Sequence, residues 1–187
     1  VNPCDSPLLP SDTFVLGEGG EACNHSEKEL FQSILGSLNW FNIASRPDLA
    51  VACSLAGRVA SQPTKKQFKQ LTRIVGYLKR HSAKELTYDG SKCKGVVSLY
   101  GFSDSDWAGQ RMSKDPSDRC GRKSTSGYIS YSCGPTNWKS KLQNIPATSS
   151  AQAEFFAMYE AAKDLLFQTL LLKEIGIHIV RVPLFCD

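Results

Sequence analysis

The chain has 187 residues, 41% of them hydrophobic, and a formal charge of +4, enough for one good core or two small ones. No apolar run reaches the length of a membrane span, and the first residues lack a basic stretch leading into an apolar one. Neither a spanning segment nor a secretory leader is therefore expected.

The charge is unevenly spread. Residues 1–56 carry two basic residues against seven acidic, residues 57–94 carry ten against two, and the rest ten against nine. Such a basic band suits a polyanion such as nucleic acid, and it is equally what a solvated helix face looks like.

Residues 1–25, rich in Pro, Gly and acids and without a period, read as a linker or disordered tail. Their "GEGG" follows no strand and opens no helix, so it is not read as a phosphate loop. Residues 26–82 read as a small helical bundle. Ser26 and Glu29 make an S-x-x-E capping box ahead of Leu30, Phe31, Ile34, Leu35, Leu38 and Phe41. A second helix starts near Pro47, with Leu49, Cys53, Ala56 and Val59 on one face. A third opens at a Thr64/Gln67 box, with Phe68, Leu71, Val75 and Leu78 as its apolar stripe. On its other side Lys65, Lys69 and Arg73 recur every four residues.

From residue 83 to 187 the pattern turns to strands. "KELTYDGSKCKGVVSLYGFSD" reads as two extended runs around an Asp-Gly hairpin turn. "TSGYISYSCG" and "TNWKSKLQN" are further strands, and the polar "QRMSKDPSDRCGRKS" is a loop. A long helix follows from Ser149 to about Ile175, stopped by Gly176. Its bulky apolar residues (Phe155, Phe156, Leu165, Leu166, Leu170 and Leu171 among them) make it apolar over a wide arc, so the helix should lie against the sheet. "HIVRVPLFCD" is the last strand. The order implies an α+β (mixed α/β) fold with three antiparallel strands, a long helix and a final strand.

The seven cysteines are irregularly spaced, with no C-x-x-C pair and no histidine at zinc-ligand spacing. Free, reduced thiols in an intracellular compartment are expected. His25, His81 and His178 are scattered and no G-x-S-x-G elbow occurs, so a hydrolase with a side-chain nucleophile finds little support.

Three acids share a structural property. Asp104 ends the first long strand, Asp187 ends the last, and Glu154 sits about a turn inside the long helix. Taken singly, Asp104 is a turn residue, Glu154 a partner for the helix dipole and Asp187 merely a last residue. Taken together, parallel neighbouring strands would bring the two aspartates to one rim, with Glu154 pointing at it. Carboxylates so gathered stay ionised only if a cation neutralises them, and hard oxygen donors suit Mg2+ or Mn2+.

"LYGFSDSDWAG", "RKSTSGYISY", "TNWKSKLQNIPATSSAQAEFFAMYEAAKDLLF" and "VPLFCD" resemble the ribonuclease H region of Ty1/copia-type retrotransposon polyproteins. Residues 31–80 resemble the end of the reverse transcriptase that precedes it. The resemblance implies a ribonuclease H-like mixed sheet of five strands over residues 83–187. It also implies hydrolysis of the RNA strand of RNA/DNA hybrids with two Mg2+ (or Mn2+) ions held by Asp104, Glu154 and Asp187. Asp106 would fix the turn or support the metal ligands from behind. The family pattern continues past "CD" to a fourth ligand, so this chain is expected to be truncated. The implied partners are the hybrid and the remainder of the reverse transcriptase polyprotein, with no membrane, in the cytoplasm (in a virus-like particle) or the nucleus. Lys65, Lys69, Arg73, Lys139 and Lys141 could track phosphates. The alternative is a non-catalytic nucleic-acid-binding or structural remnant of a decayed element.

Overall fold

The computed structural model describes residues 1–10, 12, 14–16, 20–93, 97–109, 123–179 and 181–187. The expected loop over 110–122 lies outside them, as does most of the "GEGG" stretch. The fold is α+β, and it divides into two compact units, one built on residues 1–85 and the other on residues 86–109 and 123–187.

The helical unit holds α1 (His25–Ala44), α2 (Ala50–Gly57) and α3 (Lys65–Arg80). Helix α1 starts two residues earlier than its sequence signal. Asn24 accepts from the Glu27 N–H, and the Glu27 side chain accepts from the Asn24 N–H, because asparagine caps as well as serine. The Thr64/Gln67 box of α3 forms as expected. Phe31, Leu49, Val59, Leu71 and Ile74 are fully buried in the core between the helices. Residues 1–25 contain no helix or strand among those described before His25, yet they are not detached. Phe14 and Val15 are buried, and the Val15 carbonyl accepts from Gln67 Nε2 at 2.7 Å.

A buried polar cluster ties this unit together. Arg46, 5% exposed, donates to both carboxylate oxygens of Asp48 (2.9 and 2.8 Å) and to the His81 carbonyl (3.0 Å). Tyr77 Oη also donates to Asp48 Oδ2, at 2.7 Å. Burial resists ionisation of Asp48, but these bonds and the charges of Arg46 and Lys84 outweigh it and hold its carboxyl below the usual value.

Among the described residues the other unit holds a four-stranded mixed sheet with strand order β3-β2-β1-β4, where the resemblance implies five strands. Its strands are β1 (Tyr100–Asp106), β2 (Thr125–Tyr131), β3 (Pro135–Leu142) and β4 (Leu184–Phe185). The first three are antiparallel neighbours, and β4 lies parallel to β1. The hairpin expected at Asp89–Gly90 is a correction: among the described residues no ladder joins 83–89 to β1. The Asp89 carboxylate instead accepts from Ser91 N and Oγ and opens a 3-10 turn over Gly90–Cys93. The Asp89 N–H is used by the Cys133 carbonyl at 2.9 Å. Cys133 is disulfide-bonded, which corrects the expectation of free thiols throughout; Cys4, Cys23, Cys53 and Cys186 are free.

Helix α4 (Ser150–Glu174) is capped by Ser149, whose side chain accepts from the Gln152 N–H, and is stopped by Gly176 at φ +84°. It packs on β1 and β2 as expected, though of its bulky apolar residues only Leu165 is fully buried and alanines supply the rest. Ala153, Ala157, Ala161 and Leu165 are buried, while Phe155, Leu166, Leu170 and Leu171 are each more than half exposed. Small side chains let the helix backbone approach the sheet closely. Gly101 completes the fit, since a Cβ there would stand 3.1 Å from Leu165 Cδ1.

Candidate functional site

Strand alternation divides β1 between two environments. Gly101, Ser103 and Ser105 face α4, with the first two buried. Phe102, Asp104 and Asp106 point to the opposite side, where Phe102 stacks on Phe185 with ring centroids 5.2 Å apart. Asp104 is exposed and lies across from Gly127 of β2. Asp106 covers Gly109 so closely that a side chain at 109 would collide with its carboxylate. Its place beside the turn is a steric one.

Glu154, in the second turn of α4, reaches the chain just past Asp104. Its Oε1 accepts from the Ser105 N–H at 3.3 Å and from Ser105 Oγ at 2.8 Å. Its Oε2 is buried and has no hydrogen-bond partner. The parallel pairing of Gly101 with Leu184 and Phe102 with Phe185 puts Asp187, two residues beyond Phe185, level with Asp104, two beyond Phe102. Asp187 is exposed.

The backbone thus carries the three acids to the same end of β1. The side chains are not closed around a common point. Among the described residues no group of three or more His, Cys, Asp or Glu side chains stands close enough to hold a metal ion. The donor set is nevertheless of the right kind for a hard cation, since all three are carboxylates and one oxygen of Glu154 is buried without a partner.

The basic residues fall into two groups. Lys65 is paired with Glu21 at 2.7 Å, and this bond raises its pKa. Lys69 is exposed and Arg73 is half-buried, both on the same helix. Lys139 and Lys141 lie across from Tyr128 and Ser126, on the α4 side of the sheet and so on the face opposite Asp104. Tyr128 itself is pushed up to about 12, by burial first and then by Asp164 and Glu160.

Sequence reasoning missed two residues that shape this region. Ser105 anchors Glu154 across 49 residues of sequence, and no local signal marks it. Gln143, just beyond β3, donates through Nε2 to Ser126 Oγ (2.9 Å) and to the Ala153 carbonyl (3.0 Å), locking the strand edge to α4. Nothing in its local sequence marks it.

The chain is similar to the retrovirus-related Pol polyprotein from transposon TNT 1-94 of Nicotiana tabacum, with 32% identity over 84% of this chain and 11% of that protein. The Pol polyprotein from transposon RE1 of Arabidopsis thaliana is 30% identical over 100% of this chain and 12% of its own length. The chain belongs to the copia-type retrotransposon Pol polyproteins. It spans about an eighth or less of the length of these Pol relatives, which are larger polyproteins. Secreted RxLR effector protein 161 of Plasmopara viticola is 32% identical over 75% of this Pol-type chain and 92% of that protein. No family model and no solved structure matches the chain. Among the described residues no helix is long and apolar enough to cross a membrane.

Proposed function

We propose that this Pol region is the ribonuclease H-like hydrolase of its polyprotein, cutting the RNA strand of an RNA/DNA hybrid. The observation that carries the proposal is the Glu154 carboxylate, positioned through Oε1 by Ser105 at the end of β1 with its buried Oε2 unpartnered. Asp104, Glu154 and Asp187 would hold the divalent ions. Mg2+ or Mn2+ ions held there would supply Lewis acidity for a water nucleophile and a leaving oxygen. The protein's part is positional. Ser105 fixes the glutamate from the α4 side of β1, while Asp104 and Asp187 are exposed at the same end of the adjacent parallel strands, Asp104 on the opposite face. Lys69 and Arg73 are offered for phosphates on the helical unit by itself, while Lys139 and Lys141 stand on the sheet face opposite Asp104 and could meet only a strand passing the α4 side. Lys65 must first give up Glu21.

The second reading, a non-catalytic nucleic-acid-binding or structural remnant, is favoured by the lack of a closed three-carboxylate set among the described residues. A cleavage assay on a labelled RNA/DNA hybrid separates the two. The hydrolase reading expects Mg2+-dependent cutting that Asp104→Asn abolishes while hybrid binding persists. Binding without cutting by the wild-type chain, in Mg2+ and in Mn2+, supports the remnant.

A further inference from the structure

Between the end of β3 and the outer face of α4 lies a cavity of about 370 Å3, within the range of small-molecule sites. Its walls are apolar and largely aromatic: Leu142, Ile145, Phe155, Phe156 and Tyr159. Lys141 and Glu160 also line it and contribute one charge of each sign, so it has no net demand for an ion.

One polar group in the lining is left unused. Gln143 is only 8% exposed. Its backbone N–H is taken by the Ser124 carbonyl at 2.8 Å, and its Nε2 by Ser126 Oγ and the Ala153 carbonyl. A backbone carbonyl only accepts, so the amide nitrogen must face Ala153, which fixes Oε1 as the remaining atom. That Oε1 is buried and has no hydrogen-bond partner. A buried acceptor without a donor is a costly arrangement that a bound donor would relieve.

We propose that this cavity is a binding site for a flat, neutral, fused-ring aromatic molecule bearing one N–H or O–H donor. The rings lie against Phe155, Phe156 and Tyr159, where offset and edge-on packing is favourable. The donor goes to Gln143 Oε1. The site uses none of the three carboxylates, and it stands or falls independently of the hydrolase reading.

The test is a nuclear magnetic resonance titration of the full chain with indole and with benzofuran, which has the same shape but an ether oxygen in place of the N–H. The expected result is saturable shifts at the Gln143 side-chain amide and at Tyr159. Indole should bind about tenfold more tightly, the ratio that one neutral hydrogen bond supplies. Ile145, 65% exposed, can be replaced without disturbing the core. Ile145→Asp should weaken indole by about tenfold or more while leaving the remaining spectrum unchanged, and Tyr159→Ala should do the same. Three results would overturn the proposal: no saturable shift at these residues, equal affinity for the two compounds, or undiminished indole binding in both variants. Equal affinity would mean that water holds Gln143 Oε1.

Discussion

Replacing Glu154 with glutamine examines the candidate site through stability. In the wild-type chain Oε1 accepts two hydrogen bonds from Ser105, and Oε2 is buried with none. An unsatisfied buried polar atom costs about 1–3 kcal/mol, and more when the group is charged. Glutamine keeps an acceptor for Ser105 and removes the charge, though its amide nitrogen inherits the unpartnered position. Without divalent ions, Glu154→Gln should therefore raise the stability of the sheet unit by about 1 kcal/mol, since part of the penalty remains. If Glu154 holds divalent ions as proposed, adding them should reverse the order. At free Mg2+ of about 100 times the dissociation constant, the wild type gains about 2.7 kcal/mol and the variant nothing. Amide hydrogen exchange on the β1 residues 101–105, in chelator and in Mg2+, reads this unit without interference from the helical one. The reasoning is refuted if the variant is the less stable form in chelator and the wild type gains no protection from Mg2+.

Other substitutions follow from the packing. Asp48→Ala strands the Arg46 guanidinium, whose side chain is 6% exposed, and should cost the helical unit about 3–5 kcal/mol in exchange protection along α3. The carboxyl of Asp48 is held below its unfolded value, so its contribution is complete above about pH 4 and is lost as pH falls through the lower folded value. The Asp48→Asn variant should show a flatter acid limb in a pH series of unfolding curves. Thr64→Ala removes the α3 cap and should lower stability by about 1 kcal/mol by urea unfolding. Gly101→Val pushes β1 off α4 and should cost about 1–3 kcal/mol; a neutral result would mean that Leu165 turns aside freely.

Local signals carried most of the secondary structure. The Thr64/Gln67 box, Ser149 as cap, Gly176 as stop and the alternation in β2 and β3 all act over a few residues, and all appear where the sequence puts them. The errors arose where a distant partner decided the outcome. Asp89–Gly90 has hairpin chemistry, but its carboxylate turned to Ser91 and its amide to Cys133. Helix α4 is apolar around much of its circumference, so periodicity could not say which side meets the sheet. The close approach selected the alanines. At the candidate site, the parallel β1–β4 pairing entered only as the condition for gathering the acids, since no residue signals which strands are neighbours; the pairing is present. The grip of Ser105 on Glu154 spans 49 residues of sequence, and no local rule predicts it.

Strand β4 is two residues long, and a single further bond, from the Gly101 N–H to the Pro183 carbonyl at 3.0 Å, extends its hold on β1. So short a ladder holds few residues, and Asp187 lies two residues beyond it. For any cation that needs this third carboxylate, the measured affinity is the intrinsic one scaled by the fraction of time the ladder stays zipped. Lengthening that ladder would tighten ion capture without touching a ligand.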